Sequence, residues 1–344
     1  MHHLYLDPLL FACPAPSEGQ DGFDSFLQGI LLLRDLRESG WSQLFISATT
    51  CDVLCEAHRY PLNNDLHVAI TTFGSPEVRE EIQARDVIEI IHGLLQKVPT
   101  LENYLGITTL LVDEFSTSPN INLDSRPQPL RDGFINLLIL CALDKCLKSQ
   151  PGEKQISLSR GIDQSTGRLS IQTRIVDVEG ATPLPLPYPA DTTCWLCESW
   201  DDLNSCLDSE ELWMSEPIGA VQRQAVITSV SREANRQEGS SGNPLRWWFG
   251  NEFLLSAQAF GFLCDTTKTR LILRACVETI LRINLRATHA LRTGKGGNNP
   301  QRMRGRDKAC RRDIDKEFHL HYWETPSGIE FASVVVHNDC TIPD

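Results

Sequence analysis

HLYLDPLLF, residues 3–11, is the stretch on which the fold turns. It opens with alternating and then continuous apolar residues, as a buried first strand does. FDSFLQGILLLRDLRE (23–38) follows with apolar residues at helical spacing and stops at Ser39-Gly40. SQLFIS (42–47) reads as the next short strand. A helix over 50–58 comes next, then one over 76–97 whose early acids and late Lys97 suit the helix dipole. ITTLLVDEF (107–115) is strand-like, and a long apolar helix over 130–148 closes at Pro151-Gly152. This β-α-β-α order predicts an α/β layered domain for the first part.

Working outward, QISLSR (155–160) and RLSIQTRIVDV (168–178) flank the polar turn Asp163–Gly167 and read as a β-hairpin. TPLPLPYPA (182–190) cannot continue a helix or a central strand, so a boundary is expected there. Residues 191–216 are acidic and Trp-rich, and the polar run REANRQEGSSGNP (232–244) reads as a second boundary. From Leu245 onward two helices are expected, over 249–263 and 268–291, then a glycine-rich basic loop over 293–306. EFHLHYW (317–323) and IEFASVVVH (329–337) follow as two strands joined by a turn at 324–328. The expected fold class is therefore α/β plus α+β. Residues 1–180 form the layered domain, 181–244 an irregular β-containing connector, and 245–344 a basic domain of helices with a small antiparallel sheet.

The chain has 344 residues, 41% hydrophobic and 22% charged, which suits two folded domains rather than disorder. Its longest apolar run, Phe134 to Leu143, is about half of the roughly 18 residues that span a bilayer, and no signal-peptide pattern opens the chain. A cytoplasmic protein with no membrane role is the expectation. The 12 cysteines are scattered, which favours buried reduced thiols over a disulfide framework. Cys194-Trp195-Leu196-Cys197, with Cys206 nearby, lacks the further ligands that a structural zinc site needs, so packing is its expected role.

Net charge is −13, yet residues 266–316 carry 14 Lys/Arg against 4 Asp/Glu, a balance of +10 that leaves −23 for the rest. That asymmetry points to a polyanion site on an acidic body. The alternative is that the acidic part docks on the basic part, either in the same chain or in a partner. Lys295, Arg302, Arg304, Arg306, Lys308, Arg311 and Arg312 are the expected nucleic-acid contacts, since arginine forks clamp phosphate and lysine adds point charge. His319, His321, Tyr322 and His337 follow as candidate proton carriers. Strand alternation puts His319 and His321 on one face and Tyr322 on the other, while hairpin register decides where His337 lies. Arginines on phosphate with an acid/base pair are the kit of a ribonuclease that needs no cofactor, with RNA favoured over DNA as partner.

ATHALR (287–292), RRDIDKEFHLHYW (311–323) and IEFASVVVHND (329–339) make the last 95 or so residues resemble the RelE-like ribonuclease toxins. That resemblance implies helices before a small antiparallel sheet and a toxin or defence character. In the first part, Asp7 after the first strand, Glu56 on a helix after LFIS, and Asp132 opening a later apolar helix resemble PIN-domain ribonucleases. Their likeness implies a Mg²⁺ held by these carboxylates, which would otherwise repel one another. The reading from another class is a non-catalytic nucleic-acid-binding or assembly subunit, whose histidines would be dispersed or buried.

Overall fold

Strand β1 (His2–Leu6) is buried along its whole length because parallel neighbours flank it on both sides. The computed structural model describes residues 2–148, 153–161, 167–180, 184–237, 244–294 and 299–343. The chain is mixed α/β with two six-stranded sheets, and its contacts divide it into two units, Met1–Cys206 and Leu207–Asp344. Among the described residues no helix is long and apolar enough to cross a membrane.

The first unit runs β1, α1 (Gly19–Ser39), β2 (Ser42–Phe45), α2 (Thr50–Glu56), α3 (Asn63–Phe73), α4 (Pro76–Glu81), α5 (Ala84–Lys97), α6 (Leu101–Leu105), β3 (Thr109–Ser118), α7 (Gln128–Leu147), β4 (Gln155–Leu158), β5 (Gly167–Glu179), β6 (Tyr188–Cys197) and α8 (Trp200–Cys206). Its sheet order is β2-β1-β4-β6-β5-β3, parallel from β2 to β6 and antiparallel beyond. Helix α7 packs Phe134, Leu137, Leu138 and Cys141 into a core with Tyr5, Ile171 and Cys194. On the other face, Gly29, Leu32 and Leu33 of α1 line a small void with Leu158 and Cys197. Asp7, just past β1, accepts from Leu9 N (3.0 Å), Arg126 (2.7 Å) and Ser159, so a fully buried charge pair ties the end of β1 to the end of β4. The Arg126 guanidinium also lies 4.8 Å from the Phe134 ring centre.

Several expectations change here. The hairpin between β4 and β5 does not form. Gln155–Leu158 is buried on both faces and slots in parallel between β1 and β6, whereas β5 buries alternate residues and pairs antiparallel with β6 and β3. Most of the turn expected between them, 162–166, lies outside the described residues. The last three residues of the proline-rich stretch, 188–190, open β6. Pro189 fits because β4 reaches only Trp195–Cys197 of β6, so the earlier half of the strand has a partner on one side alone. The single helix over 76–97 is two. The buried stripe Ala84, Val87, Ile91, Leu94 has exposed Glu80 one turn before it, so nothing apolar carries the axis backward through the extended Ile82. Helix α3, with Leu66, Ala69 and Ile70 buried, carried a helical spacing that the sequence reading passed over.

The second unit contains α9 (Ser209–Trp213), α10 (Ala220–Arg236), β7 (Trp247–Phe249), α11 (Phe253–Ala259), α12 (Thr266–Ile280), β8 (Thr288–Ala290), β9 (Met303–Arg304), β10 (Asp307–Asp313), β11 (Phe318–Thr325) and β12 (Gly328–Val336). Its sheet order is β7-β12-β11-β10-β8, with β9 paired to β10. The β11–β12 hairpin forms where it was expected. The two expected helices are shorter: Trp247–Phe249 joins the sheet parallel to β12, and α12 stops at Ile280 before Arg282 and Asn284 take positive φ. The basic run after 302 is not a loop but supplies β9 and β10.

Replacing Arg126 by Met leaves Asp7 buried without its partner. A loss of about 3–5 kcal/mol is expected, read from urea unfolding, with the Asp7→Asn/Arg126→Met pair recovering part of it. A loss under about 1 kcal/mol would show that this pair does not tie β1 to β4.

Candidate functional site

Register in the second sheet decides which side chains meet. His319 lies opposite Val335 and His321 opposite Ser333, so alternation brings His337 to the same face. The His319 and His337 ring centres are 4.6 Å apart, and those of His319 and His321 6.4 Å. Strand β10 places Arg311 opposite His321 and Asp313 opposite His319, and β8 places His289 opposite Arg311. The Asp313 carboxylate reaches both neighbours: Oδ1 is 3.2 Å from His319 Nε2, and Oδ2 is 3.6 Å from His289 Nε2. Four histidines, one arginine and one carboxylate therefore share one sheet face. A bulge between His321 and Tyr322 sets Tyr322 opposite Phe331, on the other face with Cys310.

His319 and His321 are both 0% exposed, whereas His337 and His289 are exposed. Burial pulls the His321 imidazole down to about 4. His319 is lowered by burial and then by the Arg311 charge, with Asp313 opposing. Both rings are thus neutral near pH 7. The Thr341 carbonyl, 2.7 Å from His321 Nδ1, can only accept, so Nδ1 carries the proton and Nε2 is a bare lone pair. That Nε2 atom has no hydrogen-bond partner among the described residues, nor do His319 Nδ1, Arg311 Nε and Ser333 Oγ, all buried, while His319 Nε2 has only the Asp313 carboxylate at 3.2 Å. Unmet donors and acceptors at such density are costly in a folded protein unless something arrives to satisfy them.

Thr341 belongs to the terminal segment that crosses this face. Trp323 Nε1 donates to the Pro343 carbonyl at 2.8 Å, and Cys340 and Ile342 pack with Leu291, Ala309, Trp323 and Ala332.

The other expected residues fall elsewhere. Arg312, 1% exposed, points to the opposite face, where it meets Glu278 (2.6 Å) and the carbonyls of Ile283 (2.9 Å) and Asn284 (3.3 Å). It clamps the end of α12 and is not offered to a ligand. Arg304 pairs with Asp307 and Glu330 and lies 4.7 Å from the Trp323 ring centre. Arg302 donates to the Arg292 carbonyl (3.3 Å), while Arg306 and Lys308 are exposed. Lys295 lies outside the described residues. Of the adjacent pair of arginines, then, only Arg311 faces the histidines. His289 and Asp313 were missed as site residues, although each sits within a segment singled out above.

In the first unit, Asp7, Glu56 and Asp132 are not brought together. Asp7 is buried with both oxygens engaged, Glu56 is exposed on α2, and Asp132 is exposed on α7 beside Arg131 (3.4 Å). Among the described residues no three His, Cys, Asp or Glu are grouped to hold a metal. Cys194, Cys197 and Cys206 are buried, with the sulfurs of Cys197 and Cys206 3.9 Å apart.

No protein family, curated protein or solved structure matches the chain.

A histidine whose folded value is depressed takes up its proton in the unfolded chain first, so stability is full above about pH 6.5 and falls as pH drops toward 4. For His321 the slope is at most about 1.4 kcal/mol per pH unit. Urea unfolding across that window should show it on top of the contributions of His2 and His319, which burial also lowers, and His321→Gln should remove the His321 share of the slope. An unchanged slope in the variant would mean that His321 is not held neutral.

Proposed function

We propose that the chain is an α/β body joined to an α+β ribonuclease unit that cleaves single-stranded RNA without a metal, through the histidine–arginine face of the second sheet. The observation that carries this reading is the meeting of His319, His321 and His337 beside Arg311, with buried nitrogens left for a ligand. Arg311 holds the non-bridging oxygens of the scissile phosphate. Nε2 of His321, fixed as an acceptor by the Thr341 carbonyl, takes the 2′-OH proton. The 2′-oxygen attacks phosphorus, the P–O5′ bond breaks, and His337, open to solvent, gives the leaving oxygen its proton. The products are a 2′,3′-cyclic phosphate and a free 5′-OH. An anion seated against neutral imidazoles favours their protonated form, so substrate raises the basicity that burial has lowered. Asp313 orients His319 and His289. Tyr322 and Arg312 act from the far face as structure. A toxin or defence setting belongs to the same reading.

Full burial of His319 and His321 favours a second reading, a non-catalytic nucleic-acid-binding or assembly subunit. The two separate in one assay, cleavage of labelled single-stranded RNA in EDTA. His321→Gln and His337→Ala should each lower kcat by roughly 10²–10⁴, with binding of a 2′-O-methyl RNA retained. Binding without cleavage by the wild-type protein would leave the subunit reading. Cleavage that appears only with Mg²⁺ would move the chemistry off this face.

A further inference from the structure

A second feature of this sheet is left without a role by that chemistry. At the β7 edge, Arg223, Arg246, Trp247, Trp248 and Ser327 line a surface depression of about 530 Å³. Its lining holds two guanidinium groups, two indoles and a hydroxyl, with no carboxylate. The arginines contrast with others of this unit. Arg270, Arg282, Arg304 and Arg312 each meet a carboxylate, whereas among the described residues Arg223 and Arg246 meet none. Arg223 instead stands 6.0 Å from the Trp247 ring centre.

The two tryptophans serve different ends. Trp247 turns into the aromatic core, with its ring centre 5.2 Å from that of Phe249 and 6.0 Å from that of Phe331. Trp248 lies opposite Glu330, which lies opposite Trp323, so alternation sets it on the face that bears His321. It is half-buried, and its ring enters no aromatic pair among the described residues. From His321 to Trp248 is two strands across and two residues along, on the order of 12 Å at ordinary sheet spacings.

A half-buried indole at the edge of a depression, beside arginines without a carboxylate, is the chemistry that holds a nucleotide: the base stacks, and the guanidinium forks take phosphate oxygens. We propose that this depression is a nucleotide subsite that holds one base and its phosphate of the single-stranded RNA chain being cut at the histidine face. The proposal rests on the ribonuclease reading for the identity of the ligand, while its geometry is independent of the cleavage step. It gives the enzyme a grip on the strand away from the scissile bond, which positions that bond without contributing to proton transfer.

The test is anisotropy of a fluorescein-labelled 2′-O-methyl single-stranded RNA titrated with the full chain, so that no cleavage intervenes. Trp248→Ala should weaken binding about tenfold or more, and Trp248→Phe should restore most of the affinity. The Arg223→Gln/Arg246→Gln pair alters exposed side chains only, and it should weaken binding and make it less sensitive to salt. Trp248→Ala and the arginine pair both binding as wild type would overturn the proposal, whether or not the protein cleaves RNA. A wild-type protein that binds none of this RNA would overturn it as well. Loss of binding in these variants from a wild-type protein that never cleaves would uphold the subsite and sink the catalytic reading alone.

Discussion

Arg312 is the constraint on which the second unit's histidine-bearing face depends. A guanidinium taken almost wholly out of water needs partners for its donors, and Glu278 with the carbonyls of Ile283 and Asn284 supplies them to its two terminal nitrogens. Those partners lie at and just beyond the end of α12, so the clamp joins that helix to one face of β10. Strand alternation then leaves no choice for the adjacent residue. Arg311 must emerge on the other face, opposite His321 and beside His289. Two neighbouring arginines that look equivalent in sequence are thus separated into a structural tie and an unpaired charge.

The same logic explains why the +10 segment does not amount to an open basic surface. Much of its charge is spent on internal partners: Arg270 on Glu210, Arg282 on Glu324, Arg304 on Asp307 and Glu330. What remains is sorted by position. Arg311 stands among neutral histidines whose desolvation keeps them from adding like charge to it. Arg223 and Arg246 lie outside the basic segment, beside aromatic rings at the sheet edge. Charge counting along the chain does not show which of these side chains the fold leaves without a carboxylate partner.

The first unit follows a different rule. Its polar residues at strand ends find partners within the fold: Asp7 with Arg126 and Ser159, and Arg160 with Glu18 and the carbonyls of Leu9 and Ala12. His3 and Tyr5 likewise share Asp144 beneath α7, at 2.7 and 2.5 Å. A carboxylate that looks free in sequence is here consumed by architecture. That is why the acid order resembling a metal nuclease does not become a cluster.

By itself, the sequence determined the elements whose hydrophobic period is strong: β1, α1, β2, α7 and the β11–β12 hairpin, together with the alternation that pairs His319 with His321 against Tyr322. Local pattern suffices there because each element buries a face set by its own spacing. Tertiary structure decided the rest, for reasons that no local pattern carries. Partner choice put β4 between β1 and β6 instead of against β5, because a strand buried on both faces has its neighbours fixed by the whole sheet. Hairpin register, with its bulge after His321, brought His337 within 4.6 Å of His319. Long-range pairing drew in Asp313 and His289, separated Arg311 from Arg312, and withdrew Asp7 from any shared site, since a buried charge takes whichever partner folding brings to it.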